Sequence, residues 1–421
     1  MEPWIALAIF MVTYGAIASD RVNRTLAALL GAAVVILLGI VTQEAGFRAV
    51  DWNVIFLLLG MMIIAGILRK TGVFGWLAIR TVRVARGEPL AILLLLSGVT
   101  ALLSAFLDNV TTIVLLIPVT LYIATTLRLS PVPFVLAEVF ASNIGGTATL
   151  IGDPPNILIG SASGLTFVDF LLNLTPVIVL VFVAFAGVIA VLFRRQMTVA
   201  PEVREAVLAI DDSEFITDRR LLRLGLLVLG LTILGFLIAS VIHQQPATIA
   251  ILGATVLLLL TREDPEELLR EIDWSTLLFF VGLFVIIEGL VATGVIKAVG
   301  TLLIQATGGD QVLTTLGLLW VSGIASAAVD NIPYTATMIP VVQQLGDAGL
   351  AVDPLWWALA LGACLGGNAT IIGASANVVA ANASARGGHV ISFGYFFRIG
   401  VVVALLSLLI STAYVWLRYL V

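Results

Sequence analysis

The sequence predicts an all-α membrane protein of two inverted repeats, each with five transmembrane helices plus a re-entrant hairpin. Three observations carry this. Of 421 residues, 60% are hydrophobic and 11% charged, whereas a soluble domain carries about 25% charged residues. Apolar stretches of bilayer-spanning length, about 17 to 25 residues, recur along almost the whole chain. Polar landmarks also recur at a fixed shift, the signature of an internal repeat.

The repeat is legible residue by residue. A shift of 222 takes Asp51-Trp52 to Asp273-Trp274, Asp108-Asn109 to Asp330-Asn331, and Ile117-Pro118-Val119 to Ile339-Pro340-Val341. A shift of 221 takes Gly145-Gly146-Thr147-Ala148-Thr149 to Gly366-Gly367-Asn368-Ala369-Thr370, and Asn156 to Asn377. Apolar helices resemble one another by chance, but chance does not hold one register through polar landmarks. The chain divides into repeats at 1–193 and 225–421, joined by a polar linker at 194–224.

In the first half, helices are expected near 4–18, 26–41 and 54–68. A pair of apolar segments near 90–107 and 110–127 is read as a hairpin entering and leaving on one side. Helices near 134–159 and 175–193 complete the half. Five crossings per half force opposite orientations. Of the 21 Lys and Arg residues, all but Arg48, Lys297 and Arg418 then fall on one side, Arg21 and Arg24 among them. The basic side is cytoplasmic by the positive-inside rule. This places the linker in the cytoplasm and both termini outside an inner (plasma) membrane. The start, Met-Glu-Pro, has no basic region, so the first helix is kept as part of the fold rather than read as a signal peptide. The single cysteine, Cys364, excludes an internal disulfide.

Ionisable residues at membrane depth are functional candidates by default. One group is the two hairpin tips, with Asp108, Asn109, Thr111 and Thr112 in the first and Asp330, Asn331 and Thr335 in the second. Each tip can cap a helix starting at its Asn and, at the same helix end, attract an ion. The other group is the run 145–156, whose Gly-Gly, Gly-Asp and Pro-Pro cannot continue one helix, and its glycine-rich mate 366–377. Broken helices at matching positions of two halves point to a transport site. Their polar residues are Asn143, Thr147, Thr149, Asp153 and Asn156, with Asn368, Thr370, Ser375 and Asn377.

Symmetry fails at three carboxylates: Asp153 pairs with Ala374, Glu288 with Gly66 and Glu138 with Leu359. Each is a candidate for proton or sodium coupling at a single site, and Glu138 and Glu288 are equally readable as buried groups satisfied by helix contacts. Asp108, Asp330, Glu138 and Glu288 are the coupling candidates. No Lys or Arg is expected in the membrane core, and neither a metal site nor a cofactor is expected beyond a coupling proton or sodium ion. The two histidines, His243 and His389, lie in expected loops, and neither a His-Glu-x-x-His nor a Gly-x-Ser-x-Gly motif occurs, which argues against an enzyme.

Asp108-Asn109-Val110-Thr111-Thr112, the run from Asn143 to Asn156 ending Gly-Asp-Pro-Pro-Asn, and Asp330-Asn331-Ile332-Pro333 resemble the P-protein-like branch of the arsenite permease family. That family belongs to the ion transporter superfamily, with sodium/proton antiporters and divalent-anion/sodium symporters. The resemblance covers nearly the whole chain. It implies a scaffold domain and a transport domain, elevator-type movement, a homodimer, and substrate and coupling ion held at 108–112, 330–335, 145–156 and 366–377. The divalent-anion branch carries Ser-Asn-Thr at both tips. Asp in place of that Ser points away from a dicarboxylate.

The first functional reading is therefore a secondary active transporter, exporting arsenite, antimonite or a similar small inorganic ion against proton uptake. Sodium/proton exchange comes next, with a sodium-coupled carboxylate transporter and an ion channel ranked below. Cys364 is open to two readings, a soft ligand for As(III) or a small buried side chain. The expected partners are the lipid bilayer and the ion, with no nucleic acid.

Overall fold

In the computed structural model, residues 3–18, 22–212 and 215–421 are described, and no strand occurs among them. Met1, Glu2 and Arg21, used above for the leader and the charge count, lie outside these residues. Among the described residues, eight helices are long and apolar enough to cross a membrane, or nine if the bent pair Pro154–Ser163 and Phe167–Asn173 forms one span. Pro3–Ala18, Arg24–Leu37, Val132–Gly146, Pro246–Thr261 and Val295–Thr307 are shorter apolar helices. The chain is a multi-pass membrane protein.

The expected helices form at the expected places. Trp52–Lys70 is capped by Asp51, whose carboxylate accepts from the Asn53 and Val54 amides. Asp273 caps Trp274–Ala292 through Thr276. These two helices pack crosswise between halves: Trp52–Lys70 on Pro246–Thr261, and Trp274–Ala292 on Arg24–Leu37. At each crossing a glycine lets two backbones meet, Gly60 against Ala250 and Gly282 against Ala28. Periodicity did not reveal the shorter helices Gln43–Arg48, Val73–Val84 and Phe167–Asn173, or Pro201–Leu208 in the linker.

The two helical hairpins are Pro89–Leu107 with Asn109–Thr126, and Gln311–Ala328 with Asn331–Asp347. The first arm of each lies along a broken helix, Pro89–Leu107 on Val132–Gly146 and Gln311–Ala328 on Val352–Gly366. Small residues make this approach possible. A Cβ on Gly145 would stand 2.1 Å from the Ala101 carbonyl oxygen, and one on Gly366 would stand 2.3 Å from that of Gly323. Backbone atoms cannot swing aside as a side chain can. Gly145→Ala is therefore expected to cost about 1–3 kcal/mol or more, as overpacking does. Thermal unfolding in detergent checks this, and an unchanged transition would show that the two helices can separate at no cost.

The linker folds back onto the first half. Asp212 pairs with Arg83 at 2.7 Å and Arg80 at 3.6 Å, and Arg204 pairs with Glu88 at 2.7 Å.

Candidate functional site

Both helix breaks fall in the expected runs, the first at Gly145-Gly146 and Pro154-Pro155 and the second at Gly366-Gly367 with no proline. Val132–Gly146 stops, Thr147–Asp153 runs non-helically, and helix resumes at Pro154–Ser163. In the second half, Val352–Gly366 gives way to two 3₁₀ turns, Gly367–Ala369 and Ile371–Gly373, before Ser375–Arg386. The freed backbone carbonyls are met by side chains in matching fashion. Asn156 Nδ2 donates to the carbonyls of Thr147 at 3.1 Å and Thr149 at 2.8 Å. Asn377 Nδ2 donates to those of Gly367 at 2.8 Å and Thr370 at 2.7 Å. Thr149 and Thr370 donate across to the hairpins, to the carbonyls of Ala105 and Ala327.

The tips turn immediately before Asn109 and Asn331, where the second arms begin. Asp108 Oδ1 accepts from the Thr111 amide at 2.8 Å, and Thr112 Oγ1 donates to the Asp108 carbonyl at 2.7 Å. Asp330 Oδ1 accepts from the Ile332 amide at 3.0 Å. Both carboxylates are thus helix caps, as the sequence suggested. They differ in backbone: Asp108 has φ of 101°, against −49° for Asp330. A non-glycine residue held there carries about 1–3 kcal/mol of strain, a condition that clusters at functional sites.

Tips and breaks meet in one buried polar centre shared by the halves. Asn109 Nδ2 donates to Asn143 Oδ1 at 3.1 Å. Asn143 Nδ2 donates to Asn368 Oδ1 at 2.9 Å and Asn377 Oδ1 at 2.8 Å. Asn331 Nδ2 lies 3.4 Å from each oxygen of Asp153, a carboxylate with no solvent exposure. The Cys364 thiol sits between that carboxylate and Asn156 Oδ1, 3.7 Å away. Asn109 Oδ1, Asn368 Nδ2 and Thr335 Oγ1 are buried with no partner among the described residues. Unsatisfied buried polar groups are rare and call for an explanation, and an unmet acceptor beside unmet donors suits a bound ion or oxyacid.

Two cavities reach the hairpin tips beside this centre. One of about 320 Å³ is lined by Asp108, Thr111, Pro154, Asp273, Thr276 and Arg24. Another of about 240 Å³ is lined by Asn23, Arg24, Asp330 and Ser375. Thr111 therefore faces open space, whereas Thr147 spends its hydroxyl on the Asn143 carbonyl within its own helix. Two coupling candidates lie away from the centre. Glu138 is buried and accepts from Thr120 Oγ1 at 2.6 Å, with its other oxygen unpartnered. Glu288 lines a shallow depression with Thr42, Glu44, Ala45 and Arg48.

One expectation needs correcting. Arg24, counted with the surface basic residues, extends into the second tip. It donates to Ser375 Oγ, donates to Thr276 Oγ1 at 3.1 Å, and stands 3.6 Å from Asp330 Oδ2. A basic side chain therefore stands beside the centre, at the second tip. The half-buried carboxylate of Asp330 explains its place, because a charge partly withdrawn from water gains from a counter-charge. The sequence signal was available: at the shift of 222, Arg24 faces Pro246 and so breaks the repeat.

Paired broken helices closed over by hairpin tips define a secondary transporter by architecture. The chain belongs to the citrate transporter family, CitMHS, which it matches over residues 14–362. It is 47% identical to the 46 kDa membrane protein of Mycobacterium leprae (strain TN), over 99% of both chains. To an uncharacterized transporter of Mycobacterium tuberculosis (strain ATCC 25618 / H37Rv) it is 48% identical, again over 99% of both. The P protein of Homo sapiens is 36% identical over 99% of this chain and 60% of its own length. Among solved structures, the YdaH transporter of Alcanivorax borkumensis superposes with a TM-score of 0.61, at 16% identity, over 99% of this chain and 97% of that one, a likeness of fold alone. The protein is a transporter and not an enzyme.

Proposed function

We propose that this chain is a cation-coupled secondary active transporter that carries a small oxygen-rich ion through the buried centre between the hairpin tips and the helix breaks. The observation that carries the reading is Asp153. It is a buried carboxylate held by an amide and a thiol, with no Lys, Arg or His in salt-bridge range among the described residues. An intramembrane carboxylate of this kind pairs with a proton or a mobile cation. The family name favours citrate, which raises a carboxylate substrate from the lower rank given it by the sequence to the first rank. The resemblance to arsenite permeases favours arsenite or antimonite export, and neutral arsenous acid would suit hydroxyls and amides. Sodium/proton exchange is the second reading, favoured by the carboxylates Asp108, Asp153 and Asp330.

The rest of the proposal concerns architecture and movement. Inverted repeats are supported by matched contacts. Ser104 donates to the Ser142 carbonyl and Ser326 to that of Ala363, both at 2.6 Å, and the two helix breaks bond alike. Re-entrant hairpins fit tips that end inside the protein, although helices of 19 and 18 residues in the first hairpin are also long enough to cross. The hairpins and broken helices form the moving part of an elevator, the crossed helices of 24–70 and 246–292 the scaffold, and two chains a homodimer. The linker lies in the cytoplasm of a cell whose inner membrane carries the protein, and the termini lie outside. Single cysteines in the linker, in a Cys364→Ser background, are expected to react only from the cytoplasm. Reaction from outside would overturn the orientation.

The functional test is reconstitution in proteoliposomes with imposed proton or sodium gradients, across citrate, arsenite, antimonite and sodium. One of these is expected to accumulate only when a gradient is present. Flux that ignores both gradients would identify a channel instead. Asp108→Asn and Asp330→Asn keep the shape of the caps but remove a charge. Both are expected to fold and to lose gradient-driven accumulation. Full uphill transport by both would reduce these carboxylates to caps.

A further inference from the structure

Arg24 is a basic residue at which the two halves differ in charge, since Pro246 stands at the position equivalent to it. It opens the helix Arg24–Leu37, which packs on Trp274–Ala292 and belongs to neither hairpin. Its guanidinium reaches the second tip, where Ser375 Oγ also donates to Asp330 Oδ2 at 2.5 Å. The same guanidinium lies 5.6 Å over the Phe279 ring and hydrogen-bonds Thr276, so it is anchored to the scaffold side. It stands in the wall between the two cavities and lines both. A second bond joins these parts nearby: the Tyr14 hydroxyl donates to the Pro333 carbonyl and lies 2.6 Å from Thr337 Oγ1. At the first tip, Asp108 has no basic side chain in salt-bridge range among the described residues, and Pro246 occupies the position equivalent to Arg24.

We propose that Arg24 discharges the coupling cation from Asp330: it is a tethered cation that fills the Asp330–Ser375 position in this state and leaves it open to a mobile monovalent cation when the second hairpin moves away. The inference rests on the coupled, moving transporter proposed above. The charge accounting is simple. Here Asp330 and Arg24 neutralise each other. When the hairpin departs, Arg24 stays with its helix, and the carboxylate takes a proton or a sodium ion from the side it then faces. It crosses as a neutral pair, since an unpaired buried charge is strongly disfavoured. On return, the guanidinium re-forms its bonds to Asp330 and Ser375, and the displaced cation leaves through the cavity lined by Asn23 and Asp330. Arginine suits this role because it stays charged at every physiological pH, so it competes with the cation without itself losing a proton.

The test separates cargo movement from cation release. Proteoliposomes carrying wild type, Arg24→Gln, Arg24→Lys and Arg24→Gln/Asp330→Asn are assayed for [14C]citrate counterflow and for gradient-driven citrate accumulation, with proton and sodium gradients imposed separately. Arg24→Gln should keep at least about half of wild-type counterflow while accumulation falls about tenfold or more, within the range of a typical coupling energy. Arg24→Lys should keep both. The gradient that drives wild-type accumulation identifies the cation. Accumulation by Arg24→Gln at the wild-type level overturns the inference. So does loss of counterflow and accumulation together in both Arg24 variants, which would make Arg24 structural.

If wild type moves no citrate in either gradient, the citrate reading fails rather than this one. Binding then decides on the purified proteins. Arg24→Gln should gain either saturable 22Na+ binding or an infrared band of a protonated carboxyl, and the added Asp330→Asn change should remove the gain. No gain of either kind overturns the inference.

Discussion

Asp153→Asn is expected to leave a folded protein that exchanges substrate but no longer concentrates it against a gradient. The side chain stays isosteric, and its contacts with Asn331 and Cys364 admit an amide. What disappears is the buried negative charge that calls a proton or cation into the centre. The accumulation ratio should fall by the ~5–150-fold that a coupling energy of about 1–3 kcal/mol represents. Uphill uptake in proteoliposomes, paired with a thermal unfolding curve, measures both consequences. Wild-type accumulation by a folded Asp153→Asn protein would remove this carboxylate from the ion path and leave Asp108 and Asp330 to carry it.

The second large effect is expected at Asn143, a side chain through which the two halves share hydrogen bonds. Asn143→Leu is similar in bulk but strips the partner from Asn109 Nδ2, Asn368 Oδ1 and Asn377 Oδ1 at once. Each buried polar group left unpaired costs about 1–3 kcal/mol. Asn368 already has an unpartnered Nδ2, so little is left to compensate. The variant should unfold at a clearly lower temperature than wild type and lose transport. A stability unchanged within about 0.5 kcal/mol, the scatter of a neutral surface substitution, would show that water or an ion replaces the amide. The Asn143 network would then be a binding surface rather than a structural joint.

The caps at Asp51, Asp108, Asp273 and Asp330 were readable because each precedes an apolar run and meets amides two or three residues ahead. The first break was readable because Pro-Pro cannot sit inside a helix, and the second because its Gly-Gly run matches the first at a shift of 221. Glu138 and Glu288, equally conspicuous in the sequence, lie elsewhere in the fold. Sequence flags a costly charge but not its neighbours. Cys364 was open between ligand and filler. The fold puts it against Asp153 and Asn156, fully buried.

By itself, then, the sequence determined what local chemistry determines: a helical membrane protein, the recurrence of its polar landmarks, the capped tips and the interrupted helices. These follow from hydrophobic length, backbone propensity and contacts within a few residues. Tertiary structure alone decided the pairings across halves: Asp153 with Asn331, Asn143 with Asn368 and Asn377, and Arg24 with Asp330 and Ser375. The partners lie 178 to 351 residues apart in the chain. No periodicity encodes such a distance. It is set by how glycine-lined helices from opposite halves pack, and by the need of each buried polar group for a partner that only the other half can supply.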